Sequence, residues 1–167
     1  ETVTIFISGV INAQDISTTK NVTITDDDNP PLVTLSTGAP SIAEAGGTTT
    51  VTVTVGAPSS FQITVSLAKS GAATDTVDYT LSSTQIILPP MTPSGSVVLK
   101  SLVDALDEDD ETVVVDIINI IKGTEKDGLQ QQTVAILDDD PLPMVTLSVV
   151  AGTVNEDAAG DRIFALV

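Results

Sequence analysis

The chain has 167 residues, of which 41% are hydrophobic and only 2% aromatic, and its 23 acidic and six basic residues give a formal charge of −17. It contains no Cys and no His, which removes disulfides, thiolate nucleophiles, zinc sites of the usual kind and His-based acid–base catalysis. Nucleic acid is excluded as a partner, because its binding rests on neutralising phosphates with Lys and Arg.

The apolar residues are mostly Val, Ile, Leu and Ala, and with Thr they favour half-buried pleated strands over helices. No signal-peptide pattern and no apolar run of membrane-spanning length occurs, so direct membrane insertion is not expected. The partners such an acidic surface selects are cations.

In chain order, ETVTIFI at Glu1–Ile7 reads as a strand, and ITDDDNPPLVTLS at Ile24–Ser36 follows it with three consecutive aspartates before a proline link. Strands are then predicted at Leu32–Ser36, Thr50–Val55, Phe61–Leu67, Gln85–Leu88, Ser96–Val103, Thr112–Asn119 and Thr133–Leu137. TVTVTV and FQITVSL alternate strictly, so each has one buried face. Pro58 with two serines, Gly71, the PPMTPSG stretch and Gly123–Gly128 supply the turns. Seven strands in a stretch of this length predict an all-β, antiparallel seven-stranded sandwich of immunoglobulin-like architecture, without the Cys–Trp–Cys hallmark.

After the last strand the chain repeats itself. ILDDDPLPMVTLS at Ile136–Ser148 restates the earlier stretch, with Asp26 and Asp138 separated by 112 residues. Glu44 and Glu156 share that spacing, and ETVVVDI at Glu111–Ile117 resembles Glu1–Ile7 at a spacing of 110. A period of this size is that of a domain in a tandem array. Residues 1–28 then read as the tail of one repeat, 29–140 as a complete repeat and 141–167 as the head of another. The proline links stiffen the joints between them.

Within the complete repeat, strand parity brings the turn at 104–111 and the triplet at 138–140 to one end of the sandwich, with Glu44 and Asp78 able to join them. Eight carboxylates in one loop cluster, Glu44, Asp78, Asp104, Glu108, Glu111, Asp138, Asp139 and Asp140, cannot all remain ionised without a counterion. Oxygen ligands alone, in flexible loops, favour Ca²⁺ over zinc or copper. The alternative for a single triplet is a solvated acidic strand end. Asp107, Asp109 and Asp110 are expected to be mostly solvated.

The ordered set SIAEAGGT at Ser41–Thr48, GAATDTVDYT at Gly71–Thr80, GSVVLKSLVDALDEDDETVVVDI at Gly95–Ile117 and TVAILDDD at Thr133–Asp140 resembles the Calx-beta family of sodium–calcium exchangers and bacterial surface proteins. The resemblance implies a seven-stranded sandwich with a calcium cluster at one tip. It implies the same eight carboxylates as ligands, together with the backbone carbonyl of Leu106. Val103 stands where well-studied members carry a further aspartate, which implies fewer ions or weaker binding. Glu1, Asp26, Asp27 and Asp28 would be remnants of a preceding site, and Glu156 would begin the next.

The function expected from these features is a calcium-binding structural or adhesive repeat of a larger extracellular or cell-surface protein, in which Ca²⁺ rigidifies the joints between adjacent repeats. One alternative is a regulatory Ca²⁺ sensor. Another is a fibre subunit in which identical chains complete one another by strand addition. An enzyme using paired carboxylates is not expected, since the acids gather at a loop tip and there is little aromatic surface for a sugar.

Overall fold

The computed structural model describes residues 1–16, 18–128 and 130–148. Twelve strands and no helix form among them. β1 (Thr2–Ile5) and β2 (Lys20–Thr23) make a two-stranded antiparallel hairpin. The other ten are β3 (Leu32–Thr37), β4 (Ser41–Ala43), β5 (Thr48–Val55), β6 (Ile63–Gly71), β7 (Tyr79–Leu81), β8 (Gln85–Leu88), β9 (Ser94–Ser101), β10 (Glu111–Ile121), β11 (Thr124–Glu125) and β12 (Gln131–Leu137). They form two five-stranded sheets, ordered β4-β12-β10-β6-β8 and β11-β3-β5-β9-β7.

Alternation builds the sandwich. In β5, Val51, Val53 and Val55 are buried while the threonines between them point outward. Val113, Val115 and Ile117 of β10 and Val134 and Ile136 of β12 do the same from the opposite sheet. The core between the sheets is almost wholly aliphatic, with Tyr79 its one aromatic side chain. Each Val, Leu or Ile removed from water there contributes roughly 1.5–3 kcal/mol.

All seven expected strands are present, as β3, β5, β6, β8, β9, β10 and β12, with ends shifted by a few residues. Three short strands join them, and two pairings are parallel, β4 with β12 and β11 with β3. The cause of the first lies in Gly38–Pro40, where the chain leaves the β3 sheet and crosses to the other. Pro40 accepts the Ala135 N–H at 2.9 Å there, and β4 then runs alongside the last strand rather than against it. A register shift between Ile117 and Asn119 bends β10 where it pairs with β6.

Candidate metal centre

Four strand ends converge at one pole of the sandwich. β4 stops at Ala43, β9 at Ser101 and β12 at Leu137, while β10 starts at Glu111. Glu111 lies opposite Ile136 in the β10–β12 ladder, so the acidic turn before β10 and the aspartate triplet after β12 are brought side by side.

Glu44 is held there by its backbone. Its N–H donates to the Leu137 carbonyl at 2.9 Å, and the Gly47 N–H closes the turn onto the Ala43 carbonyl at 3.1 Å. A Cβ at Gly47 would lie 2.5 Å from that same carbonyl oxygen, so the turn excludes any side chain at this position. The buried Ser101 hydroxyl donates to the Ala43 carbonyl at 2.8 Å, and its N–H donates to the Gly47 carbonyl at 3.0 Å. The result is a nearly buried carboxylate on a fixed turn. Glu44, Asp138 and Asp140 each offer an oxygen, all within 4.8 Å of one another.

A second group of acids adjoins the first. Glu44, Asp78, Glu108, Asp109, Glu111 and Asp138 line a small cavity of about 10 Å³ together with Ile136. Asp78 is fixed by the Thr74 N–H, which donates to its Oδ2 at 2.5 Å, and its carbonyl accepts from Leu102 at 2.8 Å. The loop before it is braced by an ion pair between Lys69 and Asp75, with Lys69 also 5.9 Å from the centre of the Tyr79 ring. Asp104 Oδ1 accepts the Leu106 N–H at 2.8 Å.

The electrostatics are those of crowded like charges. Burial, a hydrogen bond to Asp138 and the charges of Asp104, Asp138 and Asp140 push the Glu44 carboxyl up to about 7. Burial, then a hydrogen bond to Asp78 and the charges of Asp78 and Glu108, raise Glu111. Glu108 and Asp140 are raised too, by lost solvation first and then by surrounding carboxylates. Every charge acting on these four groups is negative. A cation among them would offset this repulsion, and the all-oxygen donors suit a hard divalent ion.

The structure thus brings together seven of the expected carboxylates, Glu44, Asp78, Asp104, Glu108, Glu111, Asp138 and Asp140. Asp139 points to solvent beside them and Leu106 is exposed. Asp26, Asp27 and Asp28 lie at the opposite pole with the hairpin that starts at Glu1, and Asp26 Oδ1 accepts the Asp28 N–H at 3.2 Å. Glu156 lies outside the described residues. Three residues have roles the sequence did not reveal. Asp110 is exposed, yet its Oδ1 accepts the Asp138 N–H at 3.1 Å. Asp109 lines the small cavity, and Ser101 pins the Glu44 turn. The register of β10 on β12 was the only signal for Asp110, since it sets the residue before Glu111 beside the end of β12.

Among solved structures, the chain resembles CBD12 from CALX1.2, with a TM-score of 0.57 and 22% identity over 65% of this chain and 44% of that one. It resembles the apo-form Calx CBD1 domain with a TM-score of 0.55 and 22% identity, over 65% of this chain and 99% of that domain. This sandwich has the Calx-beta fold. A third Calx-beta structure, the calcium binding domain CBD12 of CALX1.1, gives a TM-score of 0.53 and 24% identity over 60% of this chain and 41% of that one. The chain therefore spans less than half of either CBD12 structure. No protein-family model matches the chain, and no curated protein matches its sequence.

Proposed function

We propose that this chain is a calcium-binding structural module of a larger extracellular or cell-surface protein, and that Ca²⁺ at the tip of its central sandwich stiffens the joint to the next repeat. The observation that carries this reading is the convergence of Glu44, Asp138 and Asp140 within 4.8 Å, with Glu44 nearly buried and only negative charges acting on it. The wider ligand set is Asp78, Asp104, Glu108 and Glu111, with Asp139 and the Leu106 carbonyl at its rim. The Calx structures, one of them named a calcium binding domain, support the same chemistry.

The location supports a joint. Asp138–Asp140 run directly into the proline-bearing link Pro141–Pro143. At the opposite pole, Asp26, Asp28 and Pro31 line a cleft of about 280 Å³ with Pro58, Phe61 and Lys122. Lys122 Nζ stands 4.8 Å from the Phe61 ring centre. One triplet therefore leaves the tip of the sandwich while the other enters at its base, which supports the reading of repeats set tip to base. Sites that serve outside the cell need Kd values only of order 10⁻⁴–10⁻³ M. An array held extended in this way would suit adhesion.

The test is thermal melting of the chain in calcium and in excess chelator, beside the variants Glu44→Gln and Asp138→Asn. The wild type should melt at a higher temperature in calcium, and both variants should lose most of that rise. Equal melting temperatures in calcium and chelator for the wild type would contradict the proposal.

A further inference from the structure

Asp127 and Gly128 form the one Asp–Gly pair of the chain, which has no Asn–Gly pair. They lie in the loop from β11 to β12, and both are exposed. Gly128 has a φ of +82°, and no atom stands within 4 Å of where a Cβ would be. Among the described residues, none hydrogen-bonds to the Asp127 carboxyl or to the Gly128 N–H. The bonds that fix the loop fall on its neighbours instead. The Lys126 N–H donates to the Val33 carbonyl at 2.9 Å. The Gln130 N–H donates to Glu125 Oε1 at 2.6 Å, and Gln130 Nε2 to the Lys126 carbonyl at 3.3 Å.

The far end of this loop covers a sheet edge. β11 pairs with β3 only at Leu32 and Val33, and beyond them side chains take over. The Leu35 N–H donates to Gln130 Oε1 at 3.2 Å, and Gln132 Nε2 donates to the Leu35 carbonyl at 3.2 Å. An edge strand with unpaired N–H and C=O groups is a template for another strand, and the two glutamines close it here.

We propose that Asp127 is a site of spontaneous isoaspartate formation, and that the modification opens this cover. The Gly128 nitrogen attacks Asp127 Cγ; its hydrogen and the carboxyl OH leave together as water, and a five-membered succinimide closes. The lack of a side chain on Gly128 leaves the attacking nitrogen unhindered. Water then opens the ring. Attack at the former main-chain carbonyl of Asp127 leaves a free α-carboxylate and a backbone that runs through Cβ and Cγ, one carbon longer at unchanged composition. That carbon enters the loop between Lys126 and Gln130 and draws Gln130 away from Leu35.

The test is to hold the full chain in warm buffer just above neutral pH and read isoaspartate by enzymatic methyl transfer to its α-carboxylate, with mass spectrometry placing the label. Label should accumulate at Asp127 in the folded chain at a rate within a few-fold of that in urea. It should fall to background in Asp127→Glu, which cannot close a five-membered ring, and form more slowly in Gly128→Ala. Hydrogen exchange at the Leu35 amide should be several-fold faster in the aged chain, as for loss of an ordinary hydrogen bond. The Val115 amide, in the opposite sheet, should be unchanged, and aged Asp127→Glu should keep the Leu35 rate of fresh protein. Label confined to the chain in urea would overturn the site. A labelled chain whose Leu35 amide exchanges no faster than before would overturn its effect on the edge.

Discussion

Glu44 and Asp138 bring carboxyl oxygens within 4.8 Å of each other at the tip of the sandwich, and crowding of like charges there favours the protonated form of Glu44. Protons and a metal ion would therefore compete for this carboxyl. Calcium binding must expel what the protonated form retains.

This relationship fixes the pH dependence. In the metal-free chain the Glu44 carboxyl rises from 4.5 to about 7, so the folded state binds its proton more tightly than the unfolded state. The contribution of this group to stability is complete below 4.5 and is lost as pH climbs through about 7. Melting in chelator should accordingly occur at a lower temperature above neutrality than in mildly acidic buffer. With saturating calcium that decline should vanish, because the ion supplies the missing charge. Calorimetry in buffers of different ionisation enthalpy should also show protons released on calcium binding just below neutral pH.

Replacing Glu44 by Gln separates charge from shape. The variant should bind calcium at least about tenfold more weakly, a loss of about 1.4 kcal/mol. In chelator above neutral pH it should melt no lower than wild type, because one member of a like-charge group has been neutralised. A calcium titration and a chelator melt of the same sample check both halves.

Ser101 touches no metal ligand side chain but holds the turn that carries Glu44. Ser101→Ala removes the hydroxyl donor from the Ala43 carbonyl, which keeps the Gly47 N–H, and should cost about 0.5–1.5 kcal/mol in stability. Calcium affinity should fall as well, since the turn loses its side-chain tie to β9 and keeps only the Ser101 N–H bond to Gly47. Ser101→Thr, which keeps the hydroxyl, should recover more of the affinity than Ser101→Cys.

Much of this was legible before any coordinates. Strict alternation in TVTVTV and FQITVSL located the long strands, and counting strands between acidic loops placed residues 104–111 beside 138–140. The short strands β4, β7 and β11 escaped, because two or three residues cannot display a period. The parallel β4–β12 pairing escaped with them, since it depends on how Gly38–Pro40 turns the chain between sheets. Asp110 looks like Asp107 or Asp109 in sequence, and only the register of β10 on β12 gives it the Asp138 N–H. Ser101 resembles any polar strand residue until the fold closes over it.

Gly71 should tolerate substitution least. Its φ is +120°, and a Cβ would lie 2.1 Å from the Thr112 carbonyl oxygen, at the end of β6 where it pairs with Val113 of β10. Gly71→Ala should destabilise the sandwich by about 2 kcal/mol or more. By contrast, Leu99→Ala opens a cavity in the fully buried core and should cost about 2–5 kcal/mol. Because neither change alters a carboxylate at the tip, calcium stoichiometry at a temperature where the variants remain folded should match wild type. Chemical denaturation followed by titration would show both.

The central claim is that the carboxylates around Glu44 form a calcium site, and calorimetric titration of the metal-free chain with calcium near neutral pH tests it most directly. The account predicts saturable binding with a Kd of order 10⁻⁴–10⁻³ M, accompanied by a rise in stability that reaches about 2.7 kcal/mol at a hundred times the Kd. A titration showing no saturable heat, with no change in melting on adding calcium, would contradict it and leave Glu44, Asp138 and Asp140 as an acidic strand end.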